Sequence, residues 1–199
     1  MKNKDNASLS GKHKQGLFFS DIHILSDYVK ELRSNDNQIK IGYVSGVWDL
    51  HHIGHSLYLE KAKEQCDFLI VGTDSDEEVK QRKGDTRPVI PFDERGSILT
   101  HLRQVDAVVI RKVEEPKKMH AEILRPDVLI VSETTKDVDA FTEKMKEAYK
   151  GICENIVVFP PQAITSTSAR VRLLNIDGAK GLYEQIKKVC EDYFKGGDE

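Results

Sequence analysis

Short apolar runs recur along the chain at wide intervals. The first, Ile39-Lys40-Ile41-Gly42-Tyr43-Val44-Ser45, has a β-rich composition and leads into Gly46. The others are Phe68-Leu69-Ile70-Val71-Gly72, Ala107-Val108-Val109-Ile110, Val128-Leu129-Ile130-Val131 and Ile156-Val157-Val158-Phe159. Continuous short runs of this kind predict strands buried on both faces, as in a parallel sheet. Helical spacing lies between them. Leu57, Ala62 and Cys66 mark one helix after Gly54. Ile98, Leu99 and Leu102 mark another, with Asp93 and Glu94 in its first turn, where carboxylates suit the helix dipole. Pro116 opens a third carrying Met119, Ile123 and Leu124, and residues 137–149 read as a fourth. A leading helix is expected over residues 26–33, capped by Ser26. A closing amphipathic helix carries Leu182, Ile186, Val189, Cys190 and Tyr193, its apolar stripe expected to pack on the sheet. Alternating strand and helix predict an α/β fold with a doubly wound, parallel, five-stranded sheet flanked by helices.

Composition narrows this picture a little. The chain has 199 residues, enough for one core, with 39% hydrophobic and 32% charged residues. Residues 1–16 read as a polar, disordered tail and residues 17–199 as a single domain. Residues 1–15 are Lys-rich and lack the apolar stretch of a secretory signal. No apolar run approaches the roughly 20 residues needed to span a bilayer. Net charge is -3, which argues against a nucleic-acid partner. Cys66, Cys153 and Cys190 are far apart and fit free thiols in a reducing, cytoplasmic compartment.

Chemistry concentrates where the first strand ends, at Gly46-Val47-Trp48-Asp49-Leu50-His51-His52-Ile53-Gly54-His55. His52-Ile53-Gly54-His55 is an HxGH motif between a buried strand and a helix. A helix N-terminus offers unpaired N–H groups and the positive end of its dipole to anions. Gly54 lets a phosphate approach the backbone, and His52 and His55 can donate from imidazole nitrogens. Nucleotidyl transfer needs such donors where charge builds on the α-phosphate and on departing pyrophosphate. His51, His52 and His55 could instead form a zinc site with Asp49 as its fourth ligand, but the order of buried strand, glycine turn, histidines and helix is the one a phosphate-binding turn demands. No protein metal site is therefore expected.

Two more elements are candidates. Thr165-Ser166-Thr167-Ser168-Ala169-Arg170-Val171-Arg172 can cap a helix and hold a polyphosphate, or can be a plain N-cap with solvated arginines. Lys80-Gln81-Arg82-Lys83-Gly84-Asp85-Thr86-Arg87-Pro88 reads as a basic loop at the carboxyl edge of the sheet, where open α/β folds bind ligands. Lys83 or Arg87 could neutralise triphosphate charge or grip a phosphorylated acceptor.

Taken in order, these elements resemble the cytidylyltransferase-like nucleotidyltransferase superfamily, and within it the heptose-1-phosphate adenylyltransferase (ADP-heptose synthase) group. The likeness runs from about residue 24 to residue 174. It includes Ser45-Gly46-Val47-Trp48-Asp49, the HxGH motif, Asp74-Ser75-Asp76, Lys83-Gly84-Asp85-Thr86-Arg87-Pro88-Val89, Glu94-Arg95, Val105-Asp106, Pro126-Asp127 and Ser166-Thr167-Ser168. The resemblance implies a Rossmann-like fold, Mg²⁺ with ATP or CTP as co-substrate, a phosphorylated acceptor and a homodimer. It implies that His52, His55 and Lys83 serve the phosphates. Gly46, Val47, Trp48, Asp49, Gly54, Glu133, Ser166, Thr167 and Ser168 would form the nucleotide site. Asp76, Arg87 and Arg103 would face the acceptor.

The chain departs from the family pattern in places. Trp48 stands where Phe is usual, and His51 where Leu is usual. The heptose group carries Lys-Gly-Gly-Asp after the fourth strand, where this chain has Val131-Ser132-Glu133-Thr134. Glycerol-phosphate and choline-phosphate cytidylyltransferases carry Arg-Thr-x-Gly-Ile before the serine-threonine cluster. Pro161-Gln162-Ala163-Ile164-Thr165 lacks that arginine, which favours ATP over CTP. Two other functions fit parts of the pattern. Class I aminoacyl-tRNA synthetases share the letters His-Ile-Gly-His, but this chain is short, acidic and without a Lys-Met-Ser-Lys-Ser loop. A catalytically silent nucleotide-binding protein of the same fold would explain the changed loop.

Overall fold

The computed structural model describes residues 15–116, 118–133, 138–153, 155–162 and 178–187. The chain divides into two compact units, Met1–Gln162 and Ala163–Glu199. In the second, a helix spans residues 178–187.

The first unit is built on a six-stranded sheet, ordered β1-β4-β3-β2-β5-β6. Its strands are β1 (Leu17–Phe19), β2 (Ile41–Gly46), β3 (Phe68–Asp74), β4 (Ala107–Arg111), β5 (Val128–Ser132) and β6 (Asn155–Phe159). Every pairing is parallel. The helices are α1 (Ile22–Asn35), α2 (Ile53–Lys63), α3 (Asp76–Lys83), α4 (Phe92–Thr100), α5 (Met119–Leu124) and α6 (Val138–Ala148).

Alternation along each strand divides the core into two layers. Ile41, Tyr43, Phe68, Ile70, Ala107 and Val109 face α1 and α5, meeting Leu25, Val29, Ala121 and Leu124. Val44, Leu69, Val71, Val108 and Ile130 face α2 and α4, meeting Leu59, Ala62 and Leu99. All seven residues of β3 are buried, and so are all five of β4, because helices cover both faces. The doubly wound parallel fold expected from the apolar runs is the fold observed.

Four local differences have physical reasons. The sheet has a sixth strand, β1, beyond the five expected. Its three residues carry no periodicity of their own, and pairing to β4 at the sheet edge makes them a strand. The leading helix begins at Ile22 with Asp21 as its cap, whose side chain accepts from the His23 amide. Ser26 is instead buried within α1, its hydroxyl donating to the Ile123 carbonyl at 3.4 Å. Cys66 lies beyond the end of α2. The basic stretch from Lys80 is helical to Lys83, placing Lys80, Arg82 and Lys83 in the last turn of α3, where cations suit the dipole. The loop starts at Gly84, which caps the helix at φ 94°.

Strand order places the site. From β2 the chain winds outward through β3 and β4, then returns to β5 on the other side of β2. The carboxyl ends of β2 and β5 therefore flank a topological switch point, the crevice where open α/β sheets bind ligands.

Candidate active site at the β2–α2 turn

The turn from Gly46 to His55 leaves β2 at this crevice and enters α2. His52 is the N-cap of α2, extended at φ -142°, and its Nδ1 accepts from the Gly54 amide at 3.1 Å. That bond puts the proton of the neutral imidazole on Nε2, the donor nitrogen. The His52 and His55 rings stack at 4.0 Å, one turn apart on the same helix end. Burial, then the neighbouring His52 and His51, push the His55 imidazole down to about 3, so it is neutral near pH 7. Burial, with His52 beside it, also lowers the pKa of His51. His51 Nε2 pairs with the Ser56 hydroxyl at 2.9 Å. Nδ1 of His51 and Nδ1 of His55 are buried without a hydrogen-bond partner among the described residues. Buried polar atoms are usually satisfied, so unspent ones at a helix N-terminus fit a site that takes a polar ligand.

Trp48 sits beneath this surface. It is 6% exposed, its Nε1 donates to the Gly72 carbonyl at 2.9 Å, and its ring stacks on Tyr58 and meets His55 edge-on. A Cβ at Gly46 would lie 3.1 Å from the Trp48 ring, so the glycine makes room for the indole. Asp49 is buried too. Its carboxylate accepts from Arg87 Nε at 2.9 Å and from the amides of Val89 and Ile90 at 3.0 Å each. Arg87 Nη2 adds an ion-pair contact at 2.6 Å. Burial works to raise the Asp49 carboxyl, but these donors outweigh it and hold it below the usual carboxylate range. Lys83 stands close by. Burial and the nearby Arg87 and Arg82 lower its pKa, while the Asp49 and Asp74 carboxylates pull the other way.

The expected residues thus divide by position. Gly46, Val47, Trp48, Asp49, His52, Gly54 and His55 share one turn, and Lys83 and Arg87 lie against it. Asp76 opens α3 and pairs with Arg95 at 2.7 Å. Glu133 follows β5 at the crevice, its amide donating to the Phe159 carbonyl at 3.1 Å. Arg103 precedes β4, at the amino edge of the sheet, where it is 72% exposed and reaches Glu60 at 3.7 Å. The parallel sheet does not bring it to the turn. Ser166, Thr167 and Ser168 lie outside the described residues.

The structure gives roles to two residues that the family likeness includes but to which no role was assigned. Arg95 is 1% exposed within α4 and holds the Val47 carbonyl. Asp74, at the end of β3, takes Arg111 at 2.8 Å and Arg82 at 2.5 Å. Arg95 stands among charged and small residues and Asp74 just past an apolar run, and nothing in local sequence says that either charge turns inward.

Comparison with known proteins agrees with this geometry. Residues 43–187 match the family described as Cytidylyltransferase-like. A protein named Bifunctional protein HldE from Helicobacter pylori (strain P12) is 36% identical over 127 residues, 64% of this chain and 27% of that protein. Another of that name, from Acidiphilium cryptum (strain JF-5), is 35% identical over 133 residues, 67% of this chain and 27% of that protein. The chain thus spans about a quarter of the length of these relatives. A crystal structure of pantoate-beta-alanine ligase from Francisella tularensis, complexed with beta-gamma ATP and beta-alanine, shares the fold. Its TM-score is 0.54 at 19% identity, covering 73% of this chain and 67% of that one. Since the matched segment contains the whole of residues 46–55 and most of the sheet, the chain belongs to the cytidylyltransferase-like family.

Proposed function

We propose that this chain transfers a nucleoside monophosphate from a nucleoside triphosphate to a phosphorylated sugar or related small molecule and releases pyrophosphate. The observation that carries it is the helix N-terminus of α2 bearing stacked His52 and His55, with a neutral His55, at the switch point of the sheet.

The chemistry asks for position and charge stabilisation. An oxygen of the acceptor phosphate attacks the α-phosphorus and forms the new P–O bond. The bond from the α-phosphorus to the bridging oxygen breaks, and its electron pair leaves on pyrophosphate. The attacking oxygen is already anionic near neutral pH, so no general base is required. His52 Nε2–H and the His55 ring face the phosphates as donors, and Lys83 meets their charge. A neutral His55 supplies a hydrogen bond without binding a proton beforehand.

Mg²⁺, carried by the triphosphate, would neutralise phosphate charge. Among the described residues no group of three or more His, Cys, Asp or Glu side chains could hold a metal ion. Asp49, the carboxylate in the turn, already engages Arg87 and two amides. On this reading the ion comes with the nucleotide, and no protein ligand is assigned to it.

ATP is the favoured donor, since the arginine that precedes the serine-threonine cluster in cytidylyltransferases is missing at residues 161–165. The resemblance of residues 24–174 to the heptose-1-phosphate adenylyltransferase group favours a sugar-phosphate acceptor of the heptose type. The synthetase reading is not favoured, because the family matched is the cytidylyltransferase-like one. No helix among the described residues is long and apolar enough to cross a membrane. We take the working form to be a cytoplasmic homodimer, which light scattering of the purified chain would check.

The deciding experiment incubates the protein and Mg²⁺ with ATP or CTP and a panel of sugar and polyol phosphates, reading pyrophosphate. Release that requires one acceptor class and one nucleotide is expected. Nucleotide binding by calorimetry without turnover on any acceptor would favour the silent alternative instead.

A further inference from the structure

Trp48 and Leu50 have φ of 58° and 48°. Left-handed backbone at side-chain-bearing residues persists only where the surroundings over-determine it. Three fastenings are visible. Trp48 Nε1 binds the Gly72 carbonyl, the Asp49 carboxylate binds residues 87–90, and the Val47 carbonyl accepts from Arg95 Nη1.

The third fastening reaches furthest. Arg95 Nε donates to the Ile90 carbonyl at 2.9 Å. Its Nη1 also meets Thr73 Oγ1 at 3.1 Å, and its Nη2 donates to the Asp74 carbonyl at 2.8 Å and to Asp76 Oδ1 at 2.7 Å. A guanidinium has five N–H groups, and each has an acceptor here. The acceptors come from four places: the turn after β2, the end of β3, the first turn of α3, and the segment after α3. Residues 89–90 are gripped from two sides, since Asp49 takes their amides and Arg95 takes the Ile90 carbonyl.

We infer that Arg95 is a positioning residue which, with Asp49, locks the β2–α2 turn, the start of α3 and residues 87–90 into one body. His52, His55 and Lys83 then stand in a single arrangement before substrate arrives. The inference rests on the nucleotidyl-transfer reading of the same turn. Arg95 lies inside the protein and touches no substrate; it acts through the groups it holds. Lysine cannot replace it, because one ammonium cannot span acceptors that a planar fork reaches together.

The test compares wild type and Arg95→Lys by hydrogen exchange and by kinetics. The amides of Val89 and Ile90, and peptides covering residues 46–52, should exchange faster in the variant. Its kcat should fall about tenfold or more, while KM for the triphosphate changes far less, since a displaced catalytic group costs rate. In a double-mutant cycle with Asp49→Asn, the combined loss in kcat should be smaller than the product of the single losses, because both hold residues 89–90. If Arg95→Lys does not fold, Asp76→Asn removes one anchor and should give the same pattern at about threefold. Unchanged exchange at 89–90, an unchanged kcat or strictly multiplicative losses would overturn the inference. If wild type turns over no acceptor, the functional reading fails, and the exchange comparison still decides whether Arg95 locks the turn.

Discussion

Two neighbouring turns leave the same edge of the sheet and use their polar groups in opposite ways. The turn after β2 keeps ring nitrogens unspent: Nδ1 of His51 and of His55 are buried without partners among the described residues. The turn after β3 spends what it has. Ser75 caps α3 by accepting from the Glu78 amide at 3.2 Å, Asp74 takes Arg111 and Arg82, and Asp76 takes Arg95. Both begin helices and both carry an N-terminal dipole end. What separates them is whether the protein has already supplied the counter-group. A turn that answers its own charges builds the scaffold; one that leaves neutral imidazoles at the crevice is fit to take an anion.

Substitutions on each side can break that contrast. Asp74→Asn should cost the most stability, about 3 kcal/mol by urea unfolding, because it removes one of the two carboxylates that answer buried Arg111 and leaves Glu78, at 2.8 Å, as the other. His52→Ala and His55→Ala should each lower kcat by roughly 10²–10³. His55→Ala should leave the thermal midpoint near that of wild type, while His52→Ala, which also loses the N-cap bond to the Gly54 amide, should lower it by the few degrees that about 1 kcal/mol costs. Wild-type turnover from both variants would erase the distinction between the turns. Ser75→Ala should do the reverse, costing about 1 kcal/mol of stability through the lost cap while kcat barely moves.

A pH dependence of stability is expected as well. Burial pushes His55 down to about 3 in the folded chain against 6.5 for a free imidazole, so between these values the unfolded chain binds more protons. Stability should therefore fall as pH drops from about 7 and level off near 3. His51, shifted the same way, adds to the fall. His55→Gln should shrink the fall measured as thermal midpoint against pH. An identical profile would mean that His55 is not held neutral by burial.

Much of the fold was legible from the apolar runs, because strands buried on both faces must be apolar throughout. β2, β3, β4, β5 and β6 all fall on those runs. β1 escaped, since three residues have no period and depend on β4 for their hydrogen bonds. The HxGH turn was legible because its residue types carry chemistry and its flanks carry periodicity. The placement of Trp48 was not legible: it lies under the turn, where a bond to the Gly72 carbonyl of the neighbouring strand holds it. The stretch from Lys80 looked like a loop because its charges hide the three-residue reach of the cap from Ser75 to Glu78.

By itself the sequence determined that this chain is a parallel, doubly wound α/β protein with two histidines at the first helix N-terminus of its central strand. Local spacing suffices for that, since periodicity and residue type are properties of neighbours along the chain. Only the tertiary structure decided which charges face inward. Arg95 reaches Val47 across 48 residues, Arg87 reaches Asp49 across 38, and Arg111 reaches Asp74 across 37. Such contacts form where the carboxyl ends of separate strands converge, and the low dielectric there makes each pairing binding on the others.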